Sequence, residues 1–206
     1  MARHRTSVCK LCRNEGKKLF LKGERCNSAK CSATKRPFPS GQHGQSRKKM
    51  SEYAVHLREK QKVRFSYMVS EKQFSRYFKM AARKTGVTGT ILLQYLESRF
   101  DSVVAKAGFT AGRKQSRQLI RHRHFLVNGR IVDIPSYRLK PGDEITVKAK
   151  SKEIVQKIIE ELTPVEGVSW LEIDRNKLKI VVQALPERED LDPTIKEQLI
   201  VEYYSK

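Results

Sequence analysis

The dipeptide Asn128-Gly129 stands between two short apolar runs, Phe125-Leu126-Val127 and Arg130-Ile131-Val132. A two-residue turn needs positive φ at both positions, which Asn and Gly tolerate, so this stretch predicts a tight antiparallel hairpin. The residues before it, 113–121, predict a short helix. At about 100° per residue, Arg113, Lys114, Arg117 and Arg121 fall within an arc of about 100°. Ser116, Leu119 and Ile120 fall on a separate arc. One face is therefore expected to pack inward while the other holds four cations together. No acid lies between Asp101 and Asp133 to balance them, so they repel one another unless an anion meets them. A merely solvated basic face is the ordinary alternative; phosphate contact is the reading preferred here. His122, Arg123, His124, Asn128 and Arg130 extend this surface toward the hairpin. His122 and His124 suit packing or capping equally well. No cysteine or carboxylate pair accompanies them, which argues against metal or catalytic work.

The charge elsewhere supports an anionic partner. Lys and Arg total 43 against 22 acids, a formal charge of +21. Such an excess opposes compaction and fits a polyanion. It is also unevenly placed: residues 1–50 carry fourteen Lys/Arg and two acids, whereas residues 150–206 are net acidic. Arg47, Lys48 and Lys49 close a Pro- and Gly-punctuated loop over residues 32–50. That loop reads either as a linker or as a segment lying along phosphates.

All four cysteines lie early, at Cys9, Cys12, Cys26 and Cys31, spaced Cys-x2-Cys-x13-Cys-x4-Cys. Two close pairs separated by a loop can offer four thiolates to one structural Zn²⁺. Four sulfurs would close the coordination sphere and leave no position for catalytic water. Lys10, Arg13, Arg25 and Lys30 beside the sulfurs would favour the thiolate form. Two disulfides, four unrelated buried thiols and an iron–sulfur cluster are the alternatives. His4 and His43 flank the set as substitute ligands or polyanion contacts. The start, MARHRTSVCK, lacks the apolar stretch of a secretory signal, so a reducing compartment is expected. No apolar run approaches the roughly 18 residues of a membrane span.

Helices are expected at 51–67, 71–84, 90–107, 112–122 and 151–162, with a terminal helix in PTIKEQLIVEYYSK. Ser70 and Gln73 form a capping-box pattern. Phe74, Tyr77, Phe78, Ala81 and Ala82 make a helical core stripe, with Arg76, Lys79 and Arg83 on another face. Gly86 is read as ending that helix, and Gly108 the next. Pro141-Gly142-Asp143 predicts a turn before EITVKA, and WLEID with KLKIVV predicts a second hairpin around Arg175-Asn176. The fold class is α+β: a zinc-stapled N-terminal segment, a small helical domain, and two helices on a small antiparallel sheet, followed by a C-terminal hairpin and terminal helix. The expected domains are 1–45, 46–90 joined by 191–206, and 91–190.

The segment LESRFDSVVAKAGFTAGRKQSRQLIRHRHFLVNGRIVDIPSYRLKPGDEITV resembles the S-four type of RNA-binding module. The matching points are Arg-Phe-Asp-x-Val-Val at 99–104, Gly108-Phe109, Arg117-Gln118, Val127-Asn128-Gly129, Pro135-Ser136-Tyr137 and Lys140-Pro141-Gly142-Asp143. LREKQKVRFSYMVSEKQFSRYF, WLEID, LPERED and EQLIVEYYSK extend the likeness to the small-subunit ribosomal S-four family, and the four cysteines resemble its zinc-bearing bacterial form. Gly112 and Ser116 depart from the SRxxAR pattern of many relatives; Gly112 is expected to loosen the start of its helix. The resemblance implies a structural protein, not an enzyme. It would bind small-subunit ribosomal RNA early, nucleate assembly of the 5′ domain, border the channel by which messenger RNA enters, and bear on translational accuracy. It implies proteins S-three and S-five as neighbours, no membrane and no small-molecule substrate. The expected home is the cytoplasmic ribosome, with a plastid as the other home compatible with the sequence. Two alternatives stand beside this reading. One is an RNA-modifying enzyme, for which no His-x-Glu with Cys-x-x-Cys, phosphate loop or nucleophile–base set is present. The other is a free-standing binder of stalled ribosomes or transfer RNA.

Overall fold

The computed structural model describes residues 7–46, 49–162 and 168–205. The chain divides into two compact units, one of Met1–Leu92 with Pro193–Lys206 and one of Leu93–Asp192.

The first unit opens with α1 (Val8–Glu15), which stops at Gly16 in the left-handed region, φ 64°. A short 3₁₀ turn (Gly23–Cys26) and α2 (Ser32–Lys35) follow. Leu11, Cys12 and Leu19 form a small core, with Leu21, Ala33 and Phe65 against it. Helix α3 (Glu52–Ser66) starts at Ser51, whose hydroxyl accepts from the Ala54 N–H at 3.3 Å. Helix α4 (Glu71–Ala82) starts at Ser70, whose hydroxyl accepts from the Gln73 N–H at 3.4 Å. Only half of the expected capping box forms, because the Gln73 amide instead donates to the Tyr77 hydroxyl at 3.3 Å. Arg83, not Gly86, caps α4. The aromatic stripe is core: Phe74 and Ala81 are fully buried, and Phe78 stacks on Tyr204 with centroids 4.4 Å apart. Ala82 lies outside that stripe, exposed.

Tyr204 belongs to α9 (Glu197–Ser205), which packs along α3 through polar contacts. Buried His56 meets Glu202 at 2.9 Å, and buried Lys60 meets Glu71 at 2.7 Å with the Tyr203 ring 4.5 Å away. Buried Lys62 pairs with Glu59 at 2.9 Å and donates to the Thr194 carbonyl. The Lys196 N–H closes the seam onto Glu59 at 2.9 Å. Burial and the neighbouring Glu71 carboxylate raise the Tyr204 phenol well above its ordinary value.

In the second unit a five-stranded antiparallel sheet runs in the order β2-β1-β3-β5-β4. The strands are β1 (Phe125–Val127), β2 (Arg130–Ile131), β3 (Glu144–Val147), β4 (Leu171–Asp174) and β5 (Lys179–Val182). Asn128 and Gly129 have φ 49° and 76°, as the two-residue turn demands. The Asp143 carboxylate fastens this turn to the Pro141-Gly142 turn. It accepts from the Asn128 amide and the Lys140 N–H, both at 2.8 Å, while the Asn128 side-chain oxygen accepts from the Glu144 N–H at 2.8 Å. The C-terminal hairpin is not a separate piece: Ile145 pairs with Ile180, so it continues the same sheet. The core gathers Phe100, Val104, Phe109, Ile120, Phe125, Ile145, Val155, Trp170 and Ile180 among its buried members. Helix α8 (Lys152–Glu160) contributes Val155.

The single helix expected at 90–107 is two. Helix α5 (Thr88–Glu97) ends, Arg99 is extended, and α6 (Phe100–Lys106) begins. Residues 98–101 pair instead with residues 135–139: Phe100 N–H donates to the Tyr137 carbonyl at 2.8 Å, and Leu139 N–H to the Ser98 carbonyl at 2.8 Å. These hydrogen bonds satisfy the backbone that a continuous helix would have used.

Candidate nucleic-acid interface

Helix α7 (Arg113–Arg121) is the amphipathic helix expected, but its cations do not all face outward. Measured from buried Ile120 at about 100° per residue, Arg113 and Arg117 lie only about 20° and 60° away, whereas Arg121 and Lys114 lie about 100° and 120° away. The nearer pair turns in. Arg113 reaches the Glu97 carboxylate at 3.3 Å and the Ser102 hydroxyl at 3.0 Å. Arg117 reaches Asp101 at 3.4 Å. Asp101 also receives both ends of the fully buried Arg99 guanidinium, at 3.0 and 2.8 Å. The expectation of four unbalanced cations on one outward face is therefore corrected. The balancing acids are Glu97 and Asp101, which precede the helix in sequence and are 3% and 2% exposed. Buried carboxylates need such partners, because desolvation without them is costly.

The farther pair stays in solvent. Lys114, Arg121 and Arg130 are exposed, and among the described residues none has a carboxylate within ion-pair distance. Exposed Arg123, at φ 62°, pairs with Asp133 at 3.1 Å. His122 is exposed. His124 is half-buried and shares a 2.8 Å hydrogen bond with the Ser151 hydroxyl just before α8. Burial, with His122 and Lys148 adding to it, holds the His124 imidazole below its ordinary value. Asn128 is exposed but has both ends of its amide engaged in the paired turns. Ser116, the departure from the expected pattern, is buried, with its hydroxyl 2.6 Å from that of Thr110. Gly112 has φ 160°, extended backbone open to any residue, and the helix begins at Arg113.

In the N-terminal segment Lys49 and His43 are exposed. Arg47, Lys48 and His4 lie outside the described residues. None of the four cysteines is in a disulfide; Cys12, Cys26 and Cys31 are buried and Cys9 partly so. Burial pushes the Cys12 thiol up; the Leu19 amide opposes this, and the nearby sulfurs of Cys26, Cys9 and Cys31 reinforce it. The donor set is thus of the right kind and in mutual electrostatic reach. Among the described residues, no three His, Cys, Asp or Glu side chains are gathered closely enough to hold a metal ion. No described helix is long and apolar enough to cross a membrane.

The fold and this basic helix-and-hairpin surface define an S4-domain protein: residues 98–145 match the family model described as S4 domain. Residues 3–97 match that described as Ribosomal protein S4/S9 N-terminal domain. The small ribosomal subunit protein uS4 of Acidothermus cellulolyticus is 54% identical over 208 residues, with 100% of both chains covered. The uS4 proteins of Gloeobacter violaceus and Thermus thermophilus are 53% and 51% identical, again over 100% of both chains. The chain belongs to the uS4 family of small ribosomal subunit proteins.

Proposed function

We infer that this chain is a structural constituent of the small ribosomal subunit that binds folded ribosomal RNA and catalyses nothing. The observation that carries this is similarity along the whole length, at 51–54% identity, to proteins named for that subunit. The free-standing binder of stalled ribosomes or transfer RNA finds no support in a match of that extent. The cationic rim supplies the physics. Lys114, Arg121 and Arg130 meet phosphates where RNA helices converge, with Arg123 and His122 beside them and Lys49, Arg47 and Lys48 on the basic loop. Arg113 and Arg117 are spent on Glu97 and Asp101 and fasten the helix to the elements before it. Shape dominates over base sequence, because the deep groove of A-form RNA hides its base edges.

In the finer reading the chain is a primary binder that nucleates the 5′ domain. It borders the messenger channel beside proteins S-three and S-five and bears on decoding accuracy, within a bacterial cytoplasmic ribosome. The test is to mix purified chain with small-subunit ribosomal RNA before any other protein is added. Saturable binding that weakens steeply with salt is expected; failure to bind alone would overturn the primary role. Crosslinking in intact subunits checks the neighbours.

Cys9, Cys12, Cys26 and Cys31 are the residues that would hold one structural Zn²⁺. Such an ion stabilises a segment whose own apolar core is small. Intact-protein mass spectrometry is expected to find one zinc per chain, lost in Cys9→Ser and Cys26→Ser. An unchanged metal content in both variants would remove the assignment.

A further inference from the structure

We propose that Phe20 is a base-stacking residue for ribosomal RNA, seated in a cationic rim of its own; this rests on the RNA-binding reading above. Five non-glycine residues among those described have positive φ: Phe20, Met68, Arg123, Asn128 and Leu178. L side chains adopt that region at a cost. In three of them the compensation is visible. Leu178 is buried in the core, Asn128 makes the two-residue turn, and Arg123 pairs with Asp133. Met68 is half-buried. Phe20, at φ 48°, is 55% exposed. It is the one large apolar side chain in the group that strain places in water.

The local chain keeps it there. Leu19 before it is buried and Leu21 after it is half-buried, both in the small core with Leu11 and Cys12. Two anchors thus hold the backbone while the ring between them projects. Phe38 in the same unit is treated differently: the Arg13 guanidinium covers its ring at 5.4 Å and donates to its carbonyl at 2.8 Å. The sequence around Phe20 is Lys17-Lys18-Leu19-Phe20-Leu21-Lys22, and all three lysines are exposed. An exposed, pre-positioned ring flanked by ammonium groups is what an unpaired, splayed base of a folded RNA requires: a flat face to stack on and cations for its phosphates. A purely apolar protein partner would leave three lysines to desolvate.

The experiment compares Phe20→Ala, Phe20→Trp and Phe20→Gly in the full chain, with small-subunit ribosomal RNA as the probe. Phe20→Ala is expected to weaken binding by about tenfold or more while leaving the salt slope unchanged, since no charge is removed. Phe20→Trp is expected to retain binding. Phe20→Gly is expected to raise the unfolding midpoint of the free chain and still lose affinity, which separates relief of backbone strain from removal of the stacking ring. Unchanged affinity in Phe20→Ala, while the parent chain binds normally, overturns the proposal and leaves the RNA-binding reading intact. No binding by the parent chain removes both. Substituting p-benzoylphenylalanine at position 20 supplies the other arm: crosslinks in intact subunits are expected on nucleotides, and crosslinks to a protein overturn the proposal.

Discussion

The two edges of α7 carry the same kinds of residue and hold them on the same short helix, yet they do opposite work. On the inner edge Arg113 and Arg117 neutralise Glu97 and Asp101, acids that are almost fully buried. On the outer edge Lys114 and Arg121 are exposed and have no carboxylate partner among the described residues. A difference of some tens of degrees around one helix converts a cation from a structural counter-ion into a free surface charge. Basic residues on a nucleic-acid-binding helix therefore cannot be assigned to phosphates until the acids beneath them are known.

The largest effect should come from beneath the inner edge. Asp101→Ala removes the carboxylate that takes two hydrogen bonds from the fully buried Arg99, and the expected loss is about 3–5 kcal/mol, read by urea denaturation. Retention of wild-type stability would falsify the counter-ion role. Arg117→Ala should follow, at about 1–3 kcal/mol, with a salt slope for RNA binding close to that of the parent chain. If instead its slope falls and its stability holds, the inner edge belongs to the RNA after all. The Lys114→Ala, Arg121→Ala double variant should behave in the reverse manner. Stability stays within about 0.5 kcal/mol, while the slope of log K against log salt falls by roughly 0.7–0.9 for each phosphate no longer neutralised.

The smallest effect tests the histidine at the far end of this surface. The His124 imidazole titrates below its ordinary 6.5 because it is partly buried. Below pH 6.5 the unfolded chain takes up a proton that the folded one resists, so stability declines as pH falls; above it both forms are neutral and the slope vanishes. His124→Gln should erase that portion of the decline below about pH 6.5. An identical decline in the variant would place the titration elsewhere.

Much of this is legible from local chemistry. Asn128-Gly129 predicts a hairpin with one turn type, and the helix before it has one buried arc. The aromatic spacing of Phe74, Tyr77 and Phe78 marks a core stripe. What local chemistry does not carry is pairing at a distance. Nothing near Asn128 announces that its amide will meet Asp143, nor that Ile145 will lie beside Ile180. The break at Arg99 is hidden because apolar periodicity runs on through it. No capping side chain marks it either, since the residue before the second helix is Arg99 and its side chain makes no cap. The inner pairing of Arg113 and Arg117 lies beyond local reading, because the acids come from the segment before the preceding helix and from its first turn. The helix over Val8–Glu15 is not among the expected elements; its stop at Gly16 is the mark that could have revealed it.

The polar seam between α3 and α9 has a consequence for how the molecule is made. Residues 193–205 leave the synthesising ribosome after the whole of Leu93–Asp192, a contiguous stretch with its sheet and core in place. That stretch can complete itself during translation. Helix α3, emerging first, must wait through its synthesis with His56, Lys60 and Lys62 still hydrated, until Glu202, Tyr203 and the Thr194 carbonyl arrive to cover its polar flank.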